Sequence, residues 1–464
     1  MKSLFCIITL LISTLCISQK NATILKSNSY SLNVKGYESK VTWTINPKLK
    51  ENMFEAAVSK DKKRIIVTSG QDSIKLIIKL GQTKQFIHLN DNDSVTVKIV
   101  GVKAPQQRVT FTKKYIKKYN GKTLVETTPM YELVNVIIAL TDYAQKDRWL
   151  VKKGTEYYNN MEDWFKNYKE EGIVKSFDSI LKKNLVDYFS LRNNAYTFNL
   201  KSSGVIKRDP VFHSIEGKNN ITENYLDELG TFAKKTDFLS FYQKNIPIYE
   251  SQKRFFSDSV NTSSMIEWLN RNFPGRSYNV FKVIFSPLVF SSQNGQQYRS
   301  NNFTENQAHI NFPYLTPLLS KKFNSNEQTI LRAKLLFTEF NHSYINPEAN
   351  KSKYRKLVDS LFILKEKWVK NGSEAAIYYK SSYMCFNEYM NWGLIALWAS
   401  ETLTTEELNK INVETENEMY DRGFIKFKDF NSMLLELFKT RDKNETLADL
   451  YPRIIEWFQK NDKE

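Results

Sequence analysis

Apolar and polar positions alternate in short runs over the first hundred residues. Residues 30–34, 40–45, 64–68, 73–79, 85–89 and 94–100 are rich in Val, Ile and Thr, which suit a half-buried pleated surface. Turn-forming pieces separate the runs: Asn46-Pro47, Ser69-Gly70-Gln71-Asp72, Leu80-Gly81 and Asn90-Asp91-Asn92-Asp93. Their Gly, Pro and Asn/Asp residues supply the backbone angles that end a strand. About six such strands predict a small sandwich-like β domain over 19–104. The Asp91-Asn92-Asp93 turn lacks the glycine and distal Glu of a calcium loop and reads as a hairpin connection.

The period changes after Ala104-Pro105-Gln106-Gln107. The stretch from Phe111 to Tyr119 is expected to be a strand with Phe111, Lys113, Tyr115, Lys117 and Tyr119 on one face, turning at Asn120-Gly121. Thr128-Pro129 then starts a helix, as cap and first residue. Helical spacing predicts segments 131–146, 156–188, 223–244 and 263–272. Residues 280–284 and 308–312 read as strands, with a Ser286-Pro287-Leu288 corner and an Asn294-Gly295 turn between them. A long helix follows from Ser325, with Ser325 and Gln328 as capping box and Ile330, Leu331, Leu335, Phe337 and Phe340 as apolar surface. It is expected to end before Pro347. Helices at 354–370, 374–400, 405–420, 430–440 and 448–460 complete the chain. The expected fold is α+β: a β domain, then a mainly helical domain over 105–464 with a short sheet.

Composition adds three constraints. The chain has 464 residues, 41% apolar and 25% charged, ordinary for folded units and unlike a disordered chain. Lys2, the apolar run from Leu4 to Ile12 and Cys16-Ile17-Ser18 before Gln19 predict a signal peptide over 1–18, hence export to the periplasm or beyond. Leu15 stands where a lipoprotein signal wants a small residue, so no lipid anchor is expected at Cys16. No later run reaches the ~20 apolar residues of a membrane span. Of three cysteines only Cys385 lies beyond the signal, so no disulfide framework exists. The net charge of +17 favours anionic lipid surfaces, polyanionic glycans or nucleic acid. A solvated lysine-rich surface accounts for it more simply, and no nucleic-acid partner is expected.

The chemistry concentrates in Phe337-Thr338-Glu339-Phe340-Asn341-His342. A zincin carries His-Glu-x-x-His on one helix, the two His gripping zinc and the Glu acting as general base. Here Glu339 and His342 stand at the base and second-ligand positions, and Thr338 replaces the first ligand. A third ligand is offered by Glu388 on a later helix. Thr is a weak zinc ligand, so zinc is a doubtful cofactor. Tyr389 and Tyr420 are further candidates, as phenols that could face a developing oxyanion. His309 falls on an expected edge strand, facing solvent. His342 is equally consistent with a packed histidine bonded to a carboxylate such as Glu388. There is no Gly-rich phosphate loop, no Gly-x-Ser-x-Gly elbow and no Cys-x-x-Cys pair.

Several segments together resemble a known family. They are Trp43-Thr44-Ile45-Asn46-Pro47, Tyr131-Glu132-Leu133-Val134-Asn135, Ser286-Pro287-Leu288-Val289, the helix through Asn346-Pro347, Phe386-Asn387-Glu388-Tyr389-Met390 and Arg422-Gly423-Phe424-Ile425. They resemble a secreted bacterial group, domain of unknown function 4932, which is similar to gluzincin metallopeptidases. The resemblance implies a peptidase-like fold with Glu339 as base and His342 and Glu388 as ligands, and no counterpart for the first ligand. Two functions follow as expectations. One is an exported metallopeptidase relative, degenerate at Thr338. The other is a non-catalytic module holding an extended peptide or glycan in the same cleft.

Overall fold

The computed structural model describes residues 23–463 except 37–40, 48, 59–61, 92, 104–108, 214–219, 292 and 301. The expected signal peptide and the whole boundary at 104–107 lie outside the described residues. The chain divides into two compact units, Met1–Gln106 and Gln107–Glu464.

The first unit is all β. Its strands are β1 (Ile24–Lys26), β2 (Ser31–Lys35), β3 (Val41–Thr44), β4 (Glu51–Val58), β5 (Lys62–Ser69), β6 (Asp72–Lys79), β7 (Thr83–Leu89) and β8 (Ser94–Lys103). They form two four-stranded sheets, β1-β7-β8-β4 and β3-β2-β5-β6. Alternate residues such as Leu32, Val34, Ile65 and Val67 from one sheet and Phe86, Val95, Val97 and Ile99 from the other share one core, as two-faced strands require. The expectation omitted β4. Its Glu-Asn-Met-Phe-Glu-Ala-Ala-Val sequence has poor strand formers, and pairing with β8 overrides that preference.

The second unit is built on a four-stranded sheet of order β13-β14-β12-β9. These are β9 (Lys122–Glu126), β12 (Val280–Ser286), β13 (Asn294–Ser300) and β14 (Phe303–Asn311); β10 (Phe198–Leu200) and β11 (Ile206–Arg208) form a separate hairpin. β9, β12 and β14 run parallel, and β13 pairs antiparallel with β14 at the edge. Asn294-Gly295 therefore opens a strand instead of making a turn. The reversal comes later, at Asn302 with φ 60°, which Asn tolerates better than most residues. His309 sits on an inner strand and is fully buried, correcting the edge-strand expectation. Residues from Phe111 to Tyr119 do not form a strand. Lys113–Tyr119 is a helix capped by the Thr112 side chain, which accepts from the Tyr115 N–H at 3.1 Å. The rings of Tyr115 and Tyr119, one turn apart, meet tilted with centroids 4.5 Å apart, the contact that i, i+4 spacing permits.

The helix Ser325–Ala349 crosses one face of this sheet, Phe340 packing on Phe281 at 5.2 Å. Its cap lies one residue earlier than expected. Asn324 and Glu327 make the capping box, each side chain bonding the other's backbone N–H. The helix also runs through Pro347. A proline there has no N–H for the Ser343 carbonyl one turn back, and the Tyr278 hydroxyl donates to that carbonyl instead. A tertiary contact thus removes the penalty that would have ended the helix. Beyond it, Ser382–Ala399, buried from Cys385 onward, and Thr405–Arg422 pack around the same core.

Candidate functional site

Three of the expected residues come together. Glu339 and His342 lie one turn apart on Ser325–Ala349, and Glu388 projects from Ser382–Ala399 with its Oε2 4.0 Å from His342 Nε2. A groove of about 330 Å³ opens over Glu339 and His342, lined by Gly295, Gln297, Ser343 and Asn346 among others, while Glu388 lies behind His342 and does not line it. One wall is therefore the helix and the other is edge strand β13. Glycine at 295 allows the close approach. A Cβ there would lie 3.0 Å from the Glu339 carbonyl oxygen.

Each group is held by specific partners. The Asn391 amide lies 2.9 Å from His342 Nε2, and the Asn346 amide oxygen 3.4 Å from its Nδ1. The imidazole thus has a partner on both sides; its side chain is 31% exposed. Burial lowers its pKa, opposed by the Glu388 charge. Glu388 is 3% exposed and its Oε1 accepts from Arg422 at 2.8 Å and from the Trp392 indole at 2.9 Å. Burial alone would raise its pKa, but the Arg422 charge and His342 overbalance that and keep it low. Glu339 is pushed up to about 8, first by burial and then by the charge of Glu388, against a hydrogen bond from the Gly295 backbone. At neutral pH the cluster is one Arg–Glu pair beside a neutral carboxyl and a neutral imidazole.

Two expected residues stand apart. Thr338 is buried, and its hydroxyl donates to the Leu335 carbonyl at 2.8 Å, the local back-bonding open to Thr in a helix. Tyr389 is corrected as a catalytic candidate. It lies fully buried among Phe362, Phe424 and Phe430, and its hydroxyl donates to the Trp368 carbonyl at 2.8 Å. Adjacent residues on a helix point about 100° apart, so Glu388 and Tyr389 cannot both face the groove. Tyr420 is 60% exposed.

The donor set does not fit zinc. A zinc ion needs His, thiolate or carboxylate donors at about 2.0–2.3 Å with open lone pairs. Here the Asn391 amide sits on imidazole Nε2, Arg422 and Trp392 hold one Glu388 oxygen, and the hydroxyl at 338 is turned to its own backbone. The guanidinium of Arg422 supplies the positive charge a metal would bring. Among the described residues no three His, Cys, Asp or Glu side chains converge to hold a metal ion.

Sequence reasoning missed Arg422, Asn391 and Asn346 as members of the site. Asn391 follows Glu388 by three positions and Asn346 follows His342 by four, spacings that place each pair on one helix face. Arg422 carried no local signal beyond the Arg422-Gly423-Phe424-Ile425 segment.

A match to the family described as Domain of unknown function (DUF4932) spans residues 123–457. The chain belongs to this family. The matched span covers Glu339, His342, Glu388, Asn391 and Arg422, so the whole groove lies within the family's domain. No curated protein and no solved structure matches the chain.

Proposed function

We propose that the groove binds an extended peptide without metal, on a gluzincin-like scaffold whose zinc centre has been replaced by the Arg422–Glu388 pair and Asn391. The observation that carries this reading is the occupied donor set beside an edge strand. The backbone supports it further. The Gly295 N–H reaches Glu339, so at this position β13 points away from β14. Gly295, Gln297 and Arg299 share that position in the antiparallel ladder, whose N–H and C=O groups alternate in direction. A peptide lying along β13 gains main-chain hydrogen bonds from Gln297 and Arg299, as in strand addition. Protonated Glu339 offers a donor and an acceptor without burying a charge.

Two measurements test the reading on the full chain. Zinc titration followed by calorimetry is expected to show no stoichiometric ion, and Thr338→His alone gains none because Arg422 and Asn391 still hold Glu388 and His342. A tight zinc ion on the native chain would overturn the replacement. Fluorescein-labelled casein peptides are expected to bind in the presence of a chelator, about fivefold more weakly after Gln297→Pro removes one edge donor. Absence of binding, or its loss on chelation, would overturn the peptide reading.

A further inference from the structure

A second surface lies between the Ser352–Asp359 helix and the Ser382–Ala399 helix. At its centre Phe362 is buried against Trp368 at 5.2 Å and Phe458 at 5.3 Å. Its φ is +60°, a conformation rare for a bulky residue and retained where surrounding structure enforces it. Asp462 provides that enforcement, accepting from the Phe362 N–H at 2.7 Å and from the Trp368 indole at 2.6 Å. The next two residues emerge into solvent, Ile363 at 77% exposure and Leu364 at 40%.

This tip has neighbours of the same kind. Ser382 donates to the Leu361 carbonyl at 2.7 Å and Lys365 to the Tyr379 carbonyl at 2.7 Å. The tip is thereby tied beside a segment where Ile377, Tyr378 and Met384 are also exposed. Single exposed apolar residues are ordinary. Several on two segments fastened together mark an interaction surface. The charge around them is mainly positive. Asp359 is held by Arg355 at 2.7 Å and Glu374 lies 4.0 Å from Arg422, which leaves Glu366 as an exposed acid against four lysines. Lys356, Lys367, Lys370 and Lys380 are exposed or half-buried and form no ion pair among the described residues.

We propose that this face docks on an anionic lipid bilayer, with Ile363 and Leu364 entering the boundary between headgroups and acyl chains and the four lysines meeting lipid phosphates. Interfacial binding combines these two contributions, apolar burial and attraction to anionic headgroups. An exposed aliphatic pair on a segment that also carries Lys356, Lys367 and Lys370 suits a fluid charged surface better than a shaped protein pocket. None of its exposed apolar residues lines the peptide groove.

The test is cosedimentation of the full chain with vesicles of phosphatidylcholine alone and of phosphatidylcholine with phosphatidylglycerol. Binding is expected to the anionic vesicles only, falling as salt is raised. Ile363→Ser with Leu364→Ser is expected to weaken it about tenfold, with an unchanged melting curve because both side chains are exposed. Lys367→Glu with Lys370→Glu and Lys380→Glu is expected to abolish it. No binding to anionic vesicles, equal binding to neutral ones, or full retention by the Ile363/Leu364 double variant would overturn the proposal. So would equally tight binding to soluble polyglutamate, which would assign the face to acidic polypeptides.

Discussion

The sheet β13-β14-β12-β9 carries a polar cluster on each face, and the two are built differently. On the face turned from Phe281 and Phe340, Lys282 lies 3.3 Å from Glu305 and donates to the Tyr115 and Tyr196 hydroxyls at 2.6 and 3.0 Å. Tyr115 donates to Glu305 at 2.6 Å, Gln307 reaches Glu305 at 2.6 Å, and His309 lies 3.1 Å from Gln307. Register places Lys282, Glu305, Gln307 and His309 on one face by simple alternation. Lys282 and Glu305 are both buried, and their opposite charges meet within the cluster. The groove cluster also pairs its buried charge, Glu388 with Arg422, but leaves Glu339 and His342 partly open to water. Charge cancellation alone therefore does not mark a functional site. The mark is a titratable group left open beside a free strand edge.

The largest expected effect breaks the Lys282–Glu305 pair. Lys282→Met leaves the Glu305 carboxylate buried without its cation, which costs about 3–5 kcal/mol. Urea unfolding measures it, and peptide binding to the surviving folded fraction is expected to be unchanged. Arg422→Met does the same to Glu388 on the groove side. A loss of about 2–4 kcal/mol is expected there, together with a rise in the Glu388 pKa, read by carboxyl-labelled NMR. Zinc affinity is expected to increase only when this change is combined with Thr338→His and Asn391→Ala, which frees His342 Nε2.

A smaller effect depends on pH. The folded pKa of Glu339 is raised to about 8, so the folded state holds its proton where the unfolded chain has lost it. That contribution is full below the ordinary carboxyl range and is lost as pH rises through about 8. Glu339→Gln is expected to stabilise the protein at alkaline pH by about 1–2 kcal/mol, less than the full shift because the carboxyl is partly solvated. Melting curves on both sides of the transition check it, and an equal effect at acidic pH would contradict it. The smallest effect is Tyr278→Phe. It frees the Ser343 carbonyl before Pro347 and is expected to cost about 1 kcal/mol, with loosening of the last helical turn visible in hydrogen exchange.

Much of this was readable from the chain alone. Strand runs in the first unit and the Ser325–Ala349 helix follow from period-two and helical spacing, whereas the expected helices 156–188, 354–370 and 374–400 are each broken or end early. Glu339 and His342 share a face because three residues separate them on one helix, and Glu388 joined them through family resemblance. Failures cluster where distant contacts overrode a local rule. β4 forms from helix-favouring residues because β8 pairs with it. Pro347 stays inside a helix because Tyr278, 69 positions earlier, satisfies the carbonyl that the proline leaves without a donor. Tyr389 shares a segment with Glu388 yet points about 100° round the helix from it, into the aromatic core.

Local periodicity, then, determined most of the strand runs of the first unit and which side chains share a helix face, since those depend on neighbours within a few positions. Only the tertiary structure decided which charge meets Glu388. That choice of Arg422, 34 positions away, turns a set of candidate metal ligands into a hydrogen-bonded cluster. Electrostatic partners act through space, and sequence spacing carries no record of which cation arrives.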